Sequence, residues 1–143
     1  MGIRGFRLAA ALTAVVVIAG CGMTGTEPNE PSQNSGHVTL GDKSRPTQSV
    51  TCTQVDMQMT IKAVADPGHA RAALQLGGDK PVVKTVAIEN IDGLSGVSGG
   101  DAGKAEASAN GSSSYTIRGT ATVNDAAHPG RTQNVPFEIV APC

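Results

Sequence analysis

Gly96-Val97-Ser98-Gly99-Gly100 carries the letters G-x-S-x-G, and Asp125 and His128 follow in the chain order of one class of serine hydrolases. Such a set would supply a nucleophile, an orienting acid and a base. A nucleophile elbow, however, needs a strand before the serine and a helix after it, so that a strained turn holds the hydroxyl above a parallel sheet. Here Ser98 stands in a Gly-rich stretch followed by Asp101-Ala102-Gly103 and an alternating run. A loose turn holds neither a strained nucleophile nor an oxyanion hole, so no catalytic residue is expected. Gly103-Lys104 is an incomplete phosphate loop: Ser98 stands where the upstream Gly belongs, and Ala105 where a Ser or Thr would meet Mg²⁺. His37, His69 and His128 lie far apart in polar or turn contexts, with no pair at metal-ligand spacing. The acidic residues are scattered singly, without a Ca²⁺ loop or a carboxylate pair. No metal and no cofactor are expected.

Cys21 is the residue with a defined chemistry. Arg4 and Arg7 form a positive amino-terminal region, and Leu8 to Ile18 is an apolar run broken only by Thr13. That run has the length of a signal-peptide core and is too short to cross about 30 Å of hydrocarbon. Ile18-Ala19-Gly20-Cys21 follows directly. An apolar residue, two small residues and a cysteine in this place resemble a bacterial lipobox. The motif implies a diacylglycerol thioether on the Cys21 sulfur, cleavage between Gly20 and Cys21, and acylation of the freed amine. One acyl chain holds a protein on a membrane marginally, whereas two or more hold it stably.

The elements that follow must be positioned by one small domain. The chain has 143 residues and a formal charge of −1. Removing Arg4 and Arg7 from the eleven Lys and Arg leaves nine against twelve Asp and Glu, a formal −3. A mildly acidic chain gains nothing from anionic headgroups and lacks the basic face that nucleic acid requires. With no Trp and only Phe6, Tyr115 and Phe137 as aromatics, it also lacks stacking platforms for bases.

Three segments are expected: a signal peptide over 1–20, a lipidated Cys21 with a disordered tether over 21–35, and a β-rich domain over 36–143. Gly22 to Ser35 has two Pro, two Glu and a single large apolar residue, Met23, so it cannot collapse. As a flexible coil it would span roughly 20 Å, and about 50 Å when stretched. Its hydroxyls at Thr24, Thr26, Ser32 and Ser35 are able to carry sugars.

From Gly36 the apolar residues recur with period two. Met57, Met59, Ile61 and Ala63 form one such set, Ala105, Ala107 and Ala109 another. Tyr115, Ile117, Gly119, Ala121 and Val123 make a third, and Val135, Phe137 and Ile139 a fourth. Such alternation marks strands with one wet face. Val82 to Ile88 is nearly continuous and reads as a central strand; His37 to Leu40 and Ser49 to Val55 are shorter candidates. Asn110-Gly111 between two alternating runs is a hairpin signal. Pro136 inside a strand points to an edge or a bulge. Asp66-Pro67 is able to cap a short helix through Leu76, but Leu74 and Leu76 alternating about Gln75 favour a strand. The expected fold is mainly β, an antiparallel β-sandwich or partial barrel of about eight short strands with at most one short helix. Once Cys21 is set aside, Cys52 and Cys143 remain, and an even pair in an exported chain reads as a disulfide.

The ordered set of these features resembles the mycobacterial surface lipoprotein antigens of the LpqH type. The resemblance is carried by Ile18 to Cys21, the polar tether and Ser49-Val50-Thr51-Cys52-Thr53. It continues in Lys80-Pro81-Val82-Val83-Lys84-Thr85-Val86, Asn90-Ile91-Asp92-Gly93 and Tyr115-Thr116-Ile117-Arg118-Gly119-Thr120-Ala121. It ends in Pro136-Phe137-Glu138-Ile139-Val140 and Cys143. It fits a paralogue, and the tether lacks the Thr-rich clusters typical of the family. The resemblance implies a non-enzymatic, triacylated antigen and adhesin on the outer face of the membrane, recognised by host Toll-like receptor 2 through its acyl chains. A monomer is expected. The alternative is an envelope carrier that holds a lipid or glycolipid between small side chains and Gly-rich strands.

Overall fold

The computed structural model describes residues 36–143 except 112 and 126, and the backbone alone at 125. Gly20, Cys21, Thr24 and Thr26 lie outside the described residues, as do the signal peptide and the tether.

Nine strands and no helix are described. They are β1 (His37–Leu40), β2 (Lys43–Val55), β3 (Gln58–Ala65), β4 (His69–Gln75), β5 (Val82–Ile91), β6 (Leu94–Ser98), β7 (Ala105–Asn110), β8 (Ser114–Asp125) and β9 (Thr132–Pro142). Every pairing is antiparallel, in the order β6-β5-β4-β3-β2-β1-β9-β8-β7. A further pairing of β6 with β8 joins the ends of the row. Eight strands thus close into a barrel, with β7 as an extra strand along β8. Closure removes most of the unpaired backbone that an open sheet would expose.

Period two builds the wall. In β3, Met59, Ile61, Ala63 and Ala65 point inward between exposed Gln58, Thr60 and Lys62. In β4, Ala70, Ala72 and Leu74 do the same. The interior is filled by these side chains with Val38, Leu40, Val86, Ile88, Ile91, Ile117, Val123, Phe137 and Ile139. Within residues 66–76 the chain forms a strand rather than a helix: Asp66-Pro67-Gly68 is the turn, and β4 (His69–Gln75) pairs along its length with both β3 and β5. No helix forms because pairing at seven residues on each side rewards extension.

Two expectations are corrected by the strand arrangement. Pro136 lies on an interior strand, not an edge, because β9 sits between β1 and β8. It is tolerated because β1 ends beside it: Leu40 pairs with Phe137, and the Gly41 N–H donates to the Pro136 carbonyl at 2.8 Å. The missing N–H therefore falls at the last rung of that ladder. Met57 belongs by spacing to the apolar set of β3 but is 56% exposed. Val55 pairs with Gln58, so Asp56 and Met57 form the two-residue turn, with Asp56 at φ 52°. β5 is central as expected, yet only Val86, Ile88 and Ile91 of it are buried, and Val82 faces out.

Candidate functional site

Ser98 ends β6 and is 3% exposed, with its Oγ facing inward and bonded to no partner among the described residues. A hydrolase nucleophile must face the substrate; this hydroxyl faces the core. Asp125 pairs through its backbone with Leu94, four residues from Ser98 along β6. That separation is about 13 Å of strand. His128 is exposed in the β8–β9 loop, beyond Asp125. The three residues share a strand neighbourhood by topology but are not brought together.

The histidines are spread over the wall. The His37 ring donates to Glu138 Oε1 at 2.7 Å, and Arg118 Nε donates to the other carboxylate oxygen. The hydrogen bond from His37, and then the bond and charge of Arg118, hold the Glu138 carboxyl below the ordinary carboxylate range, against partial burial that raises it. His69 faces Glu89 across the β4–β5 ladder at 3.3 Å. At the turn end of the barrel, Arg45 Nε donates to Asp92 Oδ1 at 2.8 Å and ties the start of β2 to the β5–β6 turn. These are pairs of one cation and one carboxylate on separate strands, which is the arrangement of surface ties. Among the described residues no three His, Cys, Asp or Glu side chains form a group able to hold a metal ion.

The distinctive geometry lies in two seams at the opposite end. β1 is four residues long, whereas β2 and β9 continue past its start. There Cys52 of β2 and Cys143, just past β9, form a disulfide with their Cα atoms 5.7 Å apart. The sequence expectation for this pair is met. Gly36 fills the point of the seam: a Cβ there would lie 2.4 Å from the Val140 carbonyl oxygen and 2.8 Å from Thr47 Oγ1. Only glycine lets the chain pass between β2 and β9 at this place.

The second seam lies where β6 stops. Ser98 is level with Val86, so residues 82–85 of β5 have no partner on that side. β7 then takes over the edge of β8, from Gly119 to Ser114, but does not pair with β5. Gly99 packs at the apex, where a Cβ would lie 2.4 Å from the Lys84 carbonyl oxygen. Between the two unpaired edges runs an open groove of about 680 Å³. Val82, Val83, Ala105, Ala107 and Ala109 line it, with Lys80, Glu106 and Arg118 among its polar residues. Sequence reasoning did not find this groove, because no short-range pattern says that β6 ends before β5 begins. The exposed rim of Val55 and Met57 was missed too; Asp56 between them was the available turn signal.

Residues 29–143 match the family described as the Mycobacterium 19 kDa lipoprotein antigen. Lipoprotein LpqH of Mycobacterium avium is 40% identical over 97 residues, 66% of this chain and 59% of that protein. LpqH of Mycobacterium bovis is 37% identical over 105 residues, 72% of this chain and 65% of that protein. The chain therefore spans less than two thirds of the length of these LpqH proteins. A Mycobacterium tuberculosis protein named probable lipoprotein LppE is 29% identical over 134 residues, 91% of this chain and 92% of that protein. The relatives are named as lipoproteins and antigens rather than enzymes. With a match over most of its length and this degree of divergence, the chain belongs to the Mycobacterium 19 kDa lipoprotein antigen family, as a paralogue within it.

Proposed function

We propose that this protein is a non-catalytic lipoprotein of the outer face of the membrane. Cys21 is its lipid anchor, residues 22–35 its tether, and residues 36–143 a barrel presented to the surroundings. The carrying observation is the join of a lipobox with a family whose described members are lipoprotein antigens. The barrel adds support: its interior is occupied by side chains, and the Ser98 set is not assembled. Host recognition through the acyl chains by Toll-like receptor 2 follows from the same anchor and needs no side-chain constellation on the barrel.

Replacing Cys21 tests this directly. The Cys21→Ser chain should lose its fatty acyl mass, leave the membrane fraction and stop activating Toll-like receptor 2 reporter cells. A Cys21→Ser chain that stays membrane-bound and fully active would refute the proposal.

The open groove favours a second reading, an envelope lipid or glycolipid carrier. Its small apolar lining suits an acyl chain, although it opens widely to solvent. Native mass spectrometry of the purified protein separates the two readings: a co-purified lipid lost on Ala107→Asp substitution supports the carrier, and a bare protein mass counts against it.

A further inference from the structure

We infer that Asn110 is a self-modification site: the Gly111 nitrogen converts the Asn110 amide to an acid through a cyclic imide, and the isoaspartate so formed loosens β7 from the barrel.

The chemistry needs a backbone nitrogen that is free to attack the amide carbon of the preceding side chain. Asn110 is the one asparagine of the chain that a glycine follows. It is exposed and ends β7, at the last rung, opposite Ser114. Gly111 stands in the turn at φ 68°, and a Cβ built on it would meet nothing within 4 Å. Its N–H donates to no acceptor among the described residues. The nitrogen is therefore open to water, and the turn has room for the imide ring. Asn90, Asn124 and Asn134 instead precede Ile91, Asp125 and Val135 inside β5, β8 and β9, where pairing holds the backbone extended. Ile91 and Val135 are also β-branched and crowd the nitrogen.

The steps balance with water alone. The Gly111 nitrogen gives its proton to hydroxide and bonds to Cγ of Asn110. The Cγ–Nδ2 bond breaks, and ammonia leaves with a proton taken from water. One water then opens the imide. Addition at Cγ breaks the new bond and leaves aspartate at position 110. Addition at the backbone carbonyl carbon breaks the original peptide bond and leaves isoaspartate, with the main chain now running through Cβ and Cγ.

The place makes the product matter. In a hairpin the register is fixed by the turn, and isoaspartate lengthens the backbone at its entry. β7 pairs only with β8, so no second ladder corrects the slip. The Asn110 Nδ2 donates to Thr116 Oγ1 at 2.5 Å, a tie between the end of β7 and β8 that is lost with the amide. Ala105, Ala107 and Ala109 of β7 line the open groove, so a loosened β7 slackens one wall of it.

The test incubates the full purified chain in buffers from neutral to mildly alkaline, with a second sample unfolded in urea. Peptide mass spectrometry reads acid at each asparagine, and methyl labelling by an isoaspartate methyltransferase reads isoaspartate. Asn110 should convert many-fold faster than Asn90, Asn124 and Asn134, in proportion to hydroxide, and at a rate comparable to that in urea. Asn110→Gln, whose longer side chain closes the ring far more slowly, should abolish the label. An Asn110 amide that persists in the folded chain while converting in urea overturns the inference, as does label that survives in Asn110→Gln. Hydrogen exchange then tests the consequence. The isoaspartate fraction should lose protection at the β7 amides bonded to β8 and keep it in β2 beside Cys52. Asn110→Asp, which adds the charge without lengthening the backbone, should keep β7 protected. Unchanged β7 protection in the isoaspartate fraction, or equal loss in Asn110→Asp, overturns the loosening by backbone extension.

Discussion

The barrel has two places where a short strand leaves its neighbours without a partner, and they are resolved in opposite ways. Beyond the start of β1, β2 and β9 meet and are bridged by Cys52–Cys143. Beyond the end of β6, β5 and β7 run side by side without pairing and leave a groove of about 680 Å³. The bridged seam joins segments 91 residues apart, and its closure fixes the carboxyl end of the chain. The open seam is bordered by residues only some twenty positions apart, held at its apex by the close approach of Gly99 to the Lys84 carbonyl. Covalent closure is thus used where the loop to be closed is long and the unfolded chain has most entropy to lose.

The largest effect should come from cutting the bridge. In the chain-entropy account a loop of this length contributes about 4–5 kcal/mol. Cys52→Ser, Cys143→Ser or dithiothreitol should each lower the melting temperature by about 20 °C or more. An unchanged transition in calorimetry would erase the distinction between the seams. The next effect tests the apex of the open seam. Gly99→Ala must place a Cβ against the Lys84 carbonyl at φ 117°, and should cost about 2–3 kcal/mol. Gly111→Ala has a positive φ but open space, and should cost only about 1 kcal/mol. Denaturant unfolding of the two variants gives the comparison; equal losses would mean that the apex packing is unimportant.

Hydrogen exchange sharpens the contrast without substitution. Amides of β7 directed away from β8 should exchange almost as fast as free peptide, while those of β2 beside Cys52 should be protected. Reduction should speed exchange around Cys52 and leave β7 nearly unchanged. The smallest effect concerns Glu138, whose lowered pKa means that its ionised form is favoured in the folded state. Its contribution is present above the unfolded carboxylate pKa and is lost as pH falls through the lowered folded value. Glu138→Gln should therefore destabilise at neutral pH, by less than about 1 kcal/mol for such a half-exposed cluster. The difference from the parent should vanish in acid melts; a loss that grows as pH falls would contradict the assignment.

Much of the wall was legible in the chain. Met59, Ile61 and Ala63, or Val135, Phe137 and Ile139, announce their inward face by spacing alone, because side chains of a strand alternate whatever its neighbours do. The Cys52–Cys143 pairing was legible by counting, since only two thiols remain once Cys21 is assigned. Met57 and Pro136 were misread for opposite reasons. Met57 keeps the local period but sits in a turn, and Pro136 looks like an edge residue but lies on a strand whose partner stops beside it. The G-x-S-x-G letters show the same limit from the other side, for Ser98 faces the core and its would-be partners lie a strand length away.

The chain alone determined the signal and lipobox pattern, the β character and the cysteine pair, because each is written in neighbouring residues or in a count. Closure of the barrel, the collinear run of β6 and β7 along β8 and the open groove were decided by tertiary structure. They depend on which strand ends beside which, a relation between segments tens of residues apart that no local pattern encodes.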